Sequence, residues 1–178
     1  GFIISDAYFT PNIESDYVAG LFGYNNGEIK NLGCNAFSFS PIIFVYKDPT
    51  FIDGYIGSIA GVNNGVISDC FVTGTLNLSM NIKNDDGFRN FFNNIFFGNI
   101  VGVNDGGIIE KSFFSGKLSF MDDYYQRIGG IASRNTNGGI IRNCYNSGNI
   151  LVKQGYLYGI VEESTGIVEY CYNTSILS

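Results

Sequence analysis

The stretch that decides the fold is Gly57-Ser58-Ile59-Ala60-Gly61-Val62-Asn63-Asn64-Gly65-Val66-Ile67-Ser68-Asp69-Cys70-Phe71. Two short apolar bursts flank an Asn-Asn-Gly turn, and Ile67, Asp69 and Phe71 fall on alternate positions. Bursts of three to five residues with a period of two read as strands, not helices. Strands this short cannot bury their own apolar face. They need copies of themselves as neighbours.

The copies are present. Upstream, Ala19-Gly20-Leu21-Phe22-Gly23-Tyr24-Asn25-Asn26-Gly27-Glu28-Ile29-Lys30-Asn31-Leu32 repeats the pattern. Downstream, Gly98-Asn99-Ile100-Val101-Gly102-Val103-Asn104-Asp105-Gly106 does so, continuing through Ile109, Ser112, Phe113 and Gly116. A fourth copy starts at Gly129-Gly130-Ile131-Ala132-Ser133 and carries Asn135, Gly138, Ile141, Cys144, Tyr145 and Gly148. A fifth, Tyr158-Gly159-Ile160-Val161-Glu162, carries Gly166, Val168, Cys171 and Tyr172. Residues 2–10 match only the second half of the unit, so the chain reads as a segment of a longer repeat protein. Equivalent positions 23, 61, 102, 133 and 162 are separated by 38, 41, 31 and 29 residues.

Stacked copies align like residues into ladders and satisfy each strand's backbone with the next coil. The reading is therefore all-β: a right-handed parallel β-helix of about five to six coils, forming one domain over 1–178. The handedness follows from the rule for parallel crossovers. A propeller also repeats near 40 residues, but intervals of 29 and 31 leave little room for four-stranded blades. The turn positions are Gly20, Gly23, Asn25 and Gly27, then Gly61, Asn63 and Gly65, then Gly102, Asn104 and Gly106. Gly27, Gly65 and Gly106 are expected to take positive φ, and Asn25, Asn63, Asn104 and Asn135 to bond from coil to coil.

The tetrad Gly20-Leu21-Phe22-Gly23, with Tyr24-Asn25-Asn26-Gly27 and Ile29 after it, resembles the GLUG repeat of large bacterial surface and secreted proteins. Later copies carry Ser58 and Asn99 at the first glycine and Ser133 and Glu162 at the second. The resemblance implies extracellular or cell-surface display and an adhesin-like β-helical stalk. It implies no catalytic residues.

Composition agrees with strands and turns. The chain has 24 glycines, 45% hydrophobic residues and only 15% charged ones, a mixture suited to short strands between tight turns. A net charge of −6, with ten scattered basic residues, lacks the basic stripe that a nucleic-acid partner needs. No apolar run approaches the roughly 20 residues of a membrane-spanning helix. One segment breaks the period: Phe88, Phe91, Phe92, Ile95 and Phe96 recur at helical spacing behind Asp85 and Asp86. A short inserted helix near 85–97 is expected, with Phe88, Phe91, Phe92 and Phe96 as a docking stripe for a partner.

The chemistry available is narrow. With no histidine, Ser-His and Cys-His nucleophiles are excluded, and without CxxC pairs a zinc site is not expected. Cys70, Cys144 and Cys171 share one repeat position with Leu32 and Ser112, which points them into the core. An enzyme built here would need carboxylates, with Asp69, Glu110, Asp122 and Asp123 as candidates and Arg127, Arg134 and Arg142 as anion partners. Those carboxylates sit at polar repeat positions or in insertions, where solvated surface is the plain explanation. The Asp85-Asp86 and Asp122-Asp123 pairs follow no calcium-loop pattern. Asn77-Leu78-Ser79 and Asn173-Thr174-Ser175 are glycosylation sequons.

The sequence thus predicts a non-catalytic extracellular surface module, adhesin-like or structural, without metal or cofactor. Its expected partners are a host or matrix glycan or protein, or further copies of itself. The alternatives are a subunit of a self-assembling extracellular filament and a β-helical polysaccharide lyase or glycosidase.

Overall fold

The computed structural model describes residues 1–9, 12–13, 17–39, 42–45, 53–78, 81–84, 94–121 and 126–178. Every regular element among them is a β-strand, and every strand pairing is parallel. One coil runs through Asp53–Gly57, Ala60–Asn63, Val66–Ser68 and Phe71–Leu78. Each of these strands pairs with its counterparts one repeat earlier and one repeat later, which is a parallel β-solenoid.

The register aligns the repeat as the sequence does: Tyr24 opposes Val62, Val62 opposes Val103, Val103 opposes Arg134 and Arg134 opposes Glu163. The longer intervals are absorbed partly by an extra strand. Ile42–Val45 and Asn81–Asn84 pair with each other, and Ile42–Val45 also pairs with Asn12–Ile13, in a three-stranded sheet that no described residue of the 31- and 29-residue coils joins. In those later coils the fourth strand also breaks, as in Phe113–Phe114 and Lys117–Phe120. Phe71–Leu78 instead passes the same point with a register shift between Thr73 and Leu76, at Gly74 with φ of +75°.

The core is a set of ladders along the axis. Ile56, Phe97 and Ile128 oppose one another in one sheet, and Ile67, Ile109 and Ile141 in another. Ile59, Ile100 and Ile131 fill the corner between sheets, and all nine side chains are buried in one cluster. Burying an aliphatic side chain of this size contributes about 1.5–3 kcal/mol. Each ladder rung does so against an apolar residue of the neighbouring coil, so the winding is favoured only as a stack.

Three corners punctuate a coil, each with its own physical solution. At the first, the two residues after Gly57, Gly98 and Gly129 carry the chain round while still bonding to the next coil, as in Ile59 N–H donating to Ile100 C=O at 3.0 Å. At the second stands the Asn-x-Gly turn. Gly106 has φ of +71° and Gly138 +76°, but Gly27 and Gly65 do not take positive φ, contrary to the sequence expectation. Gly65 is glycine for lack of space: a Cβ there would strike the Gly27 backbone, and one on Gly107 or Gly139 would strike the Asn63 or Asn135 side-chain amide.

At the third corner a residue in left-handed conformation turns the chain in all five coils: Asn31, Asp69, Lys111, Asn143 and Tyr170, with φ between +48° and +55°. Asn and Asp accept this region more readily than other residues with side chains. Lys111 and Tyr170 hold it because the flanking strands fix both ends of the turn.

The helix expected near 85–97 does not form where that stretch is described. Asn94–Gly98 is a strand pairing with Asp53–Gly57 and Gln126–Gly129. Ile95 and Phe97 enter the core while Phe96 stays out of it, so the apolar run Ile95-Phe96-Phe97 serves a period of two. Strand partners on both sides settle an ambiguity that spacing alone left open. Residues 85–93, with Phe88, Phe91 and Phe92, lie outside the described residues.

Candidate functional site

The turn asparagines form one continuous buried chain of hydrogen bonds. Asn25 Nδ2 donates to Asn63 Oδ1 at 2.7 Å, Asn63 to Asn104 at 2.7 Å and Asn104 to Asn135 at 2.8 Å. Asn135 then donates to Ser164 Oγ at 3.0 Å. Each amide also donates to backbone carbonyls, as Asn104 does to Gly107 and Asn135 to Gly139. This spine is structural: its polar atoms are consumed from coil to coil.

The cysteines have a related role. Cys70, Cys144 and Cys171 each follow the left-handed residue of the third corner, and the thiol donates to the carbonyl two residues back: Cys70 to Ser68, Cys144 to Arg142 and Cys171 to Glu169, all at 3.2 Å. Ser112 does the same with its hydroxyl, donating to Glu110 C=O at 2.8 Å. Burial pushes Cys34 up to about 11 and raises Cys70. Cys144 and Cys171 interact. The hydrogen bond between them, with burial, raises Cys144, and the same hydrogen bond lowers the more exposed Cys171 to about 7.

The carboxylates offered as catalysts are used across coils. Glu110 Oε2 accepts two hydrogen bonds from Arg142, from Nε at 2.9 Å and Nη2 at 2.7 Å, and Asp69 lies 4.0 Å from Lys30 Nζ. Arg127 donates to Glu162 at 2.7 Å, and Ser133 Oγ donates to the other oxygen of that carboxylate at 3.0 Å. Glu162 is only 5% exposed. It occupies the second glycine position of the tetrad, where Gly61 and Gly102 pack too closely on the preceding strand to accept a Cβ without shifting backbone. Asp122 and Asp123 lie outside the described residues. Among those described, no three Cys, Asp or Glu converge as a metal site, and no helix is long and apolar enough to cross a membrane.

Two outward rows border the first corner. One is Val18, Tyr55, Phe96, Arg127 and Tyr156; the other is Tyr24, Val62, Val103, Arg134 and Glu163. Phe96 is fully buried, stacked on Tyr55 at 5.5 Å between ring centroids and covered by the Arg134 guanidinium 4.0 Å above its ring. It therefore offers no docking face, against the sequence expectation. Between the rows runs a groove of about 320 Å³ walled by Tyr24, Tyr55, Val62, Val103, Asp105 and Arg134. Tyr24 is 60% exposed, and Asp105 Oδ1 accepts a hydrogen bond from Thr136 at 3.0 Å. Arg134 Nε lies 3.1 Å from Glu163 Oε2 without being aimed at it for a hydrogen bond.

Sequence reasoning missed this groove. Its walls come from four coils, and the signal that would have found it is the strand register, which brings Tyr55 beside Phe96 and Val103 beside Arg134.

Comparison with curated proteins and with solved structures returned no match. Residues 124–151 match the family model of the GLUG motif, and they hold the fourth copy of a unit whose five copies stack in register, so the chain is a GLUG-motif repeat protein.

Proposed function

We propose that this chain is a non-catalytic extracellular surface module, adhesin-like or structural, that presents the outside of a solenoid to a glycan or protein of its surroundings. The observation that carries the reading is how the charged groups are spent. Glu110 with Arg142, Glu162 with Arg127, Glu163 with Arg134 and Asp69 with Lys30 are each joined between adjacent coils. Glycoside hydrolysis needs two carboxyl groups facing one scissile bond, one of them free to give a proton. Glu110 and Asp69 instead pair with basic side chains of neighbouring coils, and the grooved outer surface is left for binding.

The test is retention of the purified protein on a panel of immobilised polysaccharides, with new chain ends assayed in parallel. Retention without new ends is the expected result. Release of chain ends would overturn the reading and send attention to Asp69, Glu110, Asp122 and Asp123.

A second reading, a subunit of a self-assembling filament, draws on a separate observation. The outer aromatic ladder Phe71, Phe113, Tyr145 and Tyr172 stacks with centroids 5.5, 4.7 and 5.2 Å apart, and its last ring is 57% exposed. Sedimentation over a wide concentration range separates the two: a single species favours the surface module, and open-ended growth favours the filament.

A further inference from the structure

We propose that the groove between the two outward rows is a binding site for a neutral, hydroxyl-rich saccharide; the inference rests on the reading of the chain as a binding module and assigns that module's ligand class.

The groove's chemistry is amphipathic across its width. Tyr24 and Tyr55, with Val62 and Val103 beside them, supply apolar and aromatic surface, while Asp105, Thr136 and Arg134 supply polar atoms. A pyranose ring has that same division, with C–H faces that lie against aromatic rings and hydroxyls around its edge. The Asp105 carboxylate has acceptor sites beyond those used by Thr136 and Asn137. The volume sits at the lower end of the roughly 300–1,000 Å³ typical of small-molecule pockets, so one or two sugar units fit and a folded protein surface does not. The walls come from successive coils about 4.8 Å apart. The groove therefore lies along the solenoid axis, as an extended chain of sugars requires.

Charge selects among saccharides. Among the described residues Arg134 is the one basic side chain in the wall, and its guanidinium is already beside the Glu163 carboxylate and lies over the Phe96 ring. Asp105 brings a second negative charge with no basic partner among its hydrogen bonds. These three side chains sum to one negative charge, so a uronate or sulfated glycan meets repulsion. A neutral hexose meets acceptors and donors without that cost. The preorganised stack of Tyr55, Phe96 and Arg134 holds the floor of the site fixed before the ligand arrives.

The experiment is titration calorimetry of the protein with neutral gluco-, manno- and galacto-configured tetrasaccharides, the matching uronate tetrasaccharides, and a lysine-rich tetrapeptide. At least one neutral tetrasaccharide is expected to bind, with perturbed NMR resonances of the unmodified protein mapping to Tyr24, Val62 and Val103. Tyr24→Ala and Asp105→Asn should each weaken it at least tenfold. Tyr156→Ala, 54% exposed and outside the groove, should leave it unchanged.

The proposal is overturned if none of the neutral sugars binds, if the uronates or the tetrapeptide bind more tightly, or if binding survives both groove variants. Protein retained on polysaccharide while both variants bind normally would refute the groove and leave the module reading standing. New chain ends would refute the module reading itself.

Discussion

At the scale of single residues, the asparagine spine and the corner thiols show how little of this chain's polar inventory is left over. Asn104 accepts from Asn63 and donates to Asn135 and to the Gly107 carbonyl, all within the buried turn. Truncating it orphans a donor and an acceptor at once, at about 1–3 kcal/mol for each unpaired group. Asn104→Ala should lower stability by about 2–4 kcal/mol in denaturant titration. Asn64→Ala removes only an exposed bond to Asn26 and should stay within about 0.5 kcal/mol. Equal effects would mean that the spine adds nothing beyond the turn itself.

The thiols give a second residue-scale prediction. Burial lifts Cys34 to about 11 from an ordinary value of 9. Between those values the unfolded chain has released a proton that the fold retains. Its contribution to stability is whole below pH 9 and is lost as the pH climbs towards 11. Melting temperature should fall across that window, and the fall should shrink in Cys34→Ala. At neutral pH a thiol reagent should modify Cys171 first among the four cysteines, because it is the more exposed and more acidic member of its pair. Prior reaction at Cys144 would contradict that assignment. The turn asparagines and the inward cysteines were legible in the sequence because each recurs at one repeat position. The coil-to-coil partners of the asparagines were not, since those lie 29 to 41 residues away.

At the scale of elements, strands and corners divide the labour. The strands were legible from period-two patterning, and the extra residues of the 38- and 41-residue intervals were legible as insertions. Two local readings gave way to tertiary context. Ile95 and Phe96 continue a helical spacing that starts at Phe88, yet neighbouring strands claim both, and the buried Phe96 seats Arg134. Gly27 and Gly65 looked like positive-φ turn residues, whereas close stacking of backbone on backbone is what excludes a side chain at Gly65.

The left-handed position fell one corner later, on the second polar residue after the Ile or Val. Asn31, Asp69 and Asn143 hint at it; Lys111 and Tyr170 hide it. A residue other than Gly, Asn or Asp loses about 1–2 kcal/mol there. Lys111→Asn, which installs the residue already used at the equivalent Asn31 and Asn143, should stabilise by about 1 kcal/mol and raise the melting temperature by about 2–4 °C. A lower melting temperature would show that Lys111 does something at this corner besides turning the chain.

At the scale of the molecule, the repeat makes the interior redundant and leaves individuality to the outside. Inside, isoleucine stands on isoleucine through consecutive coils. Outside, the rows that border the first corner differ at almost every rung, from Tyr24 to Glu163 and from Val18 to Tyr156. A scaffold was visible in one sequence because stacking demands repetition. A groove was not, because it is assembled from what the repeats do not share.

The spine, the paired charges and the groove all depend on coils stacking in the observed register. The most direct measurement is cross-linking in a Cys171→Ser background, a change already accommodated at the equivalent Ser112. Asn77 opposes Ser119, and Ser119 opposes Leu151 one coil further on. With cysteines at 77 and 119, a short thiol-to-thiol linker spanning the roughly 4.8 Å between neighbouring strands should join the pair quantitatively in the native protein. With cysteines at 77 and 151, two coils apart, it should not. Equal yields, or preferential linkage of 77 to 151, would contradict the solenoid register and the account built on it.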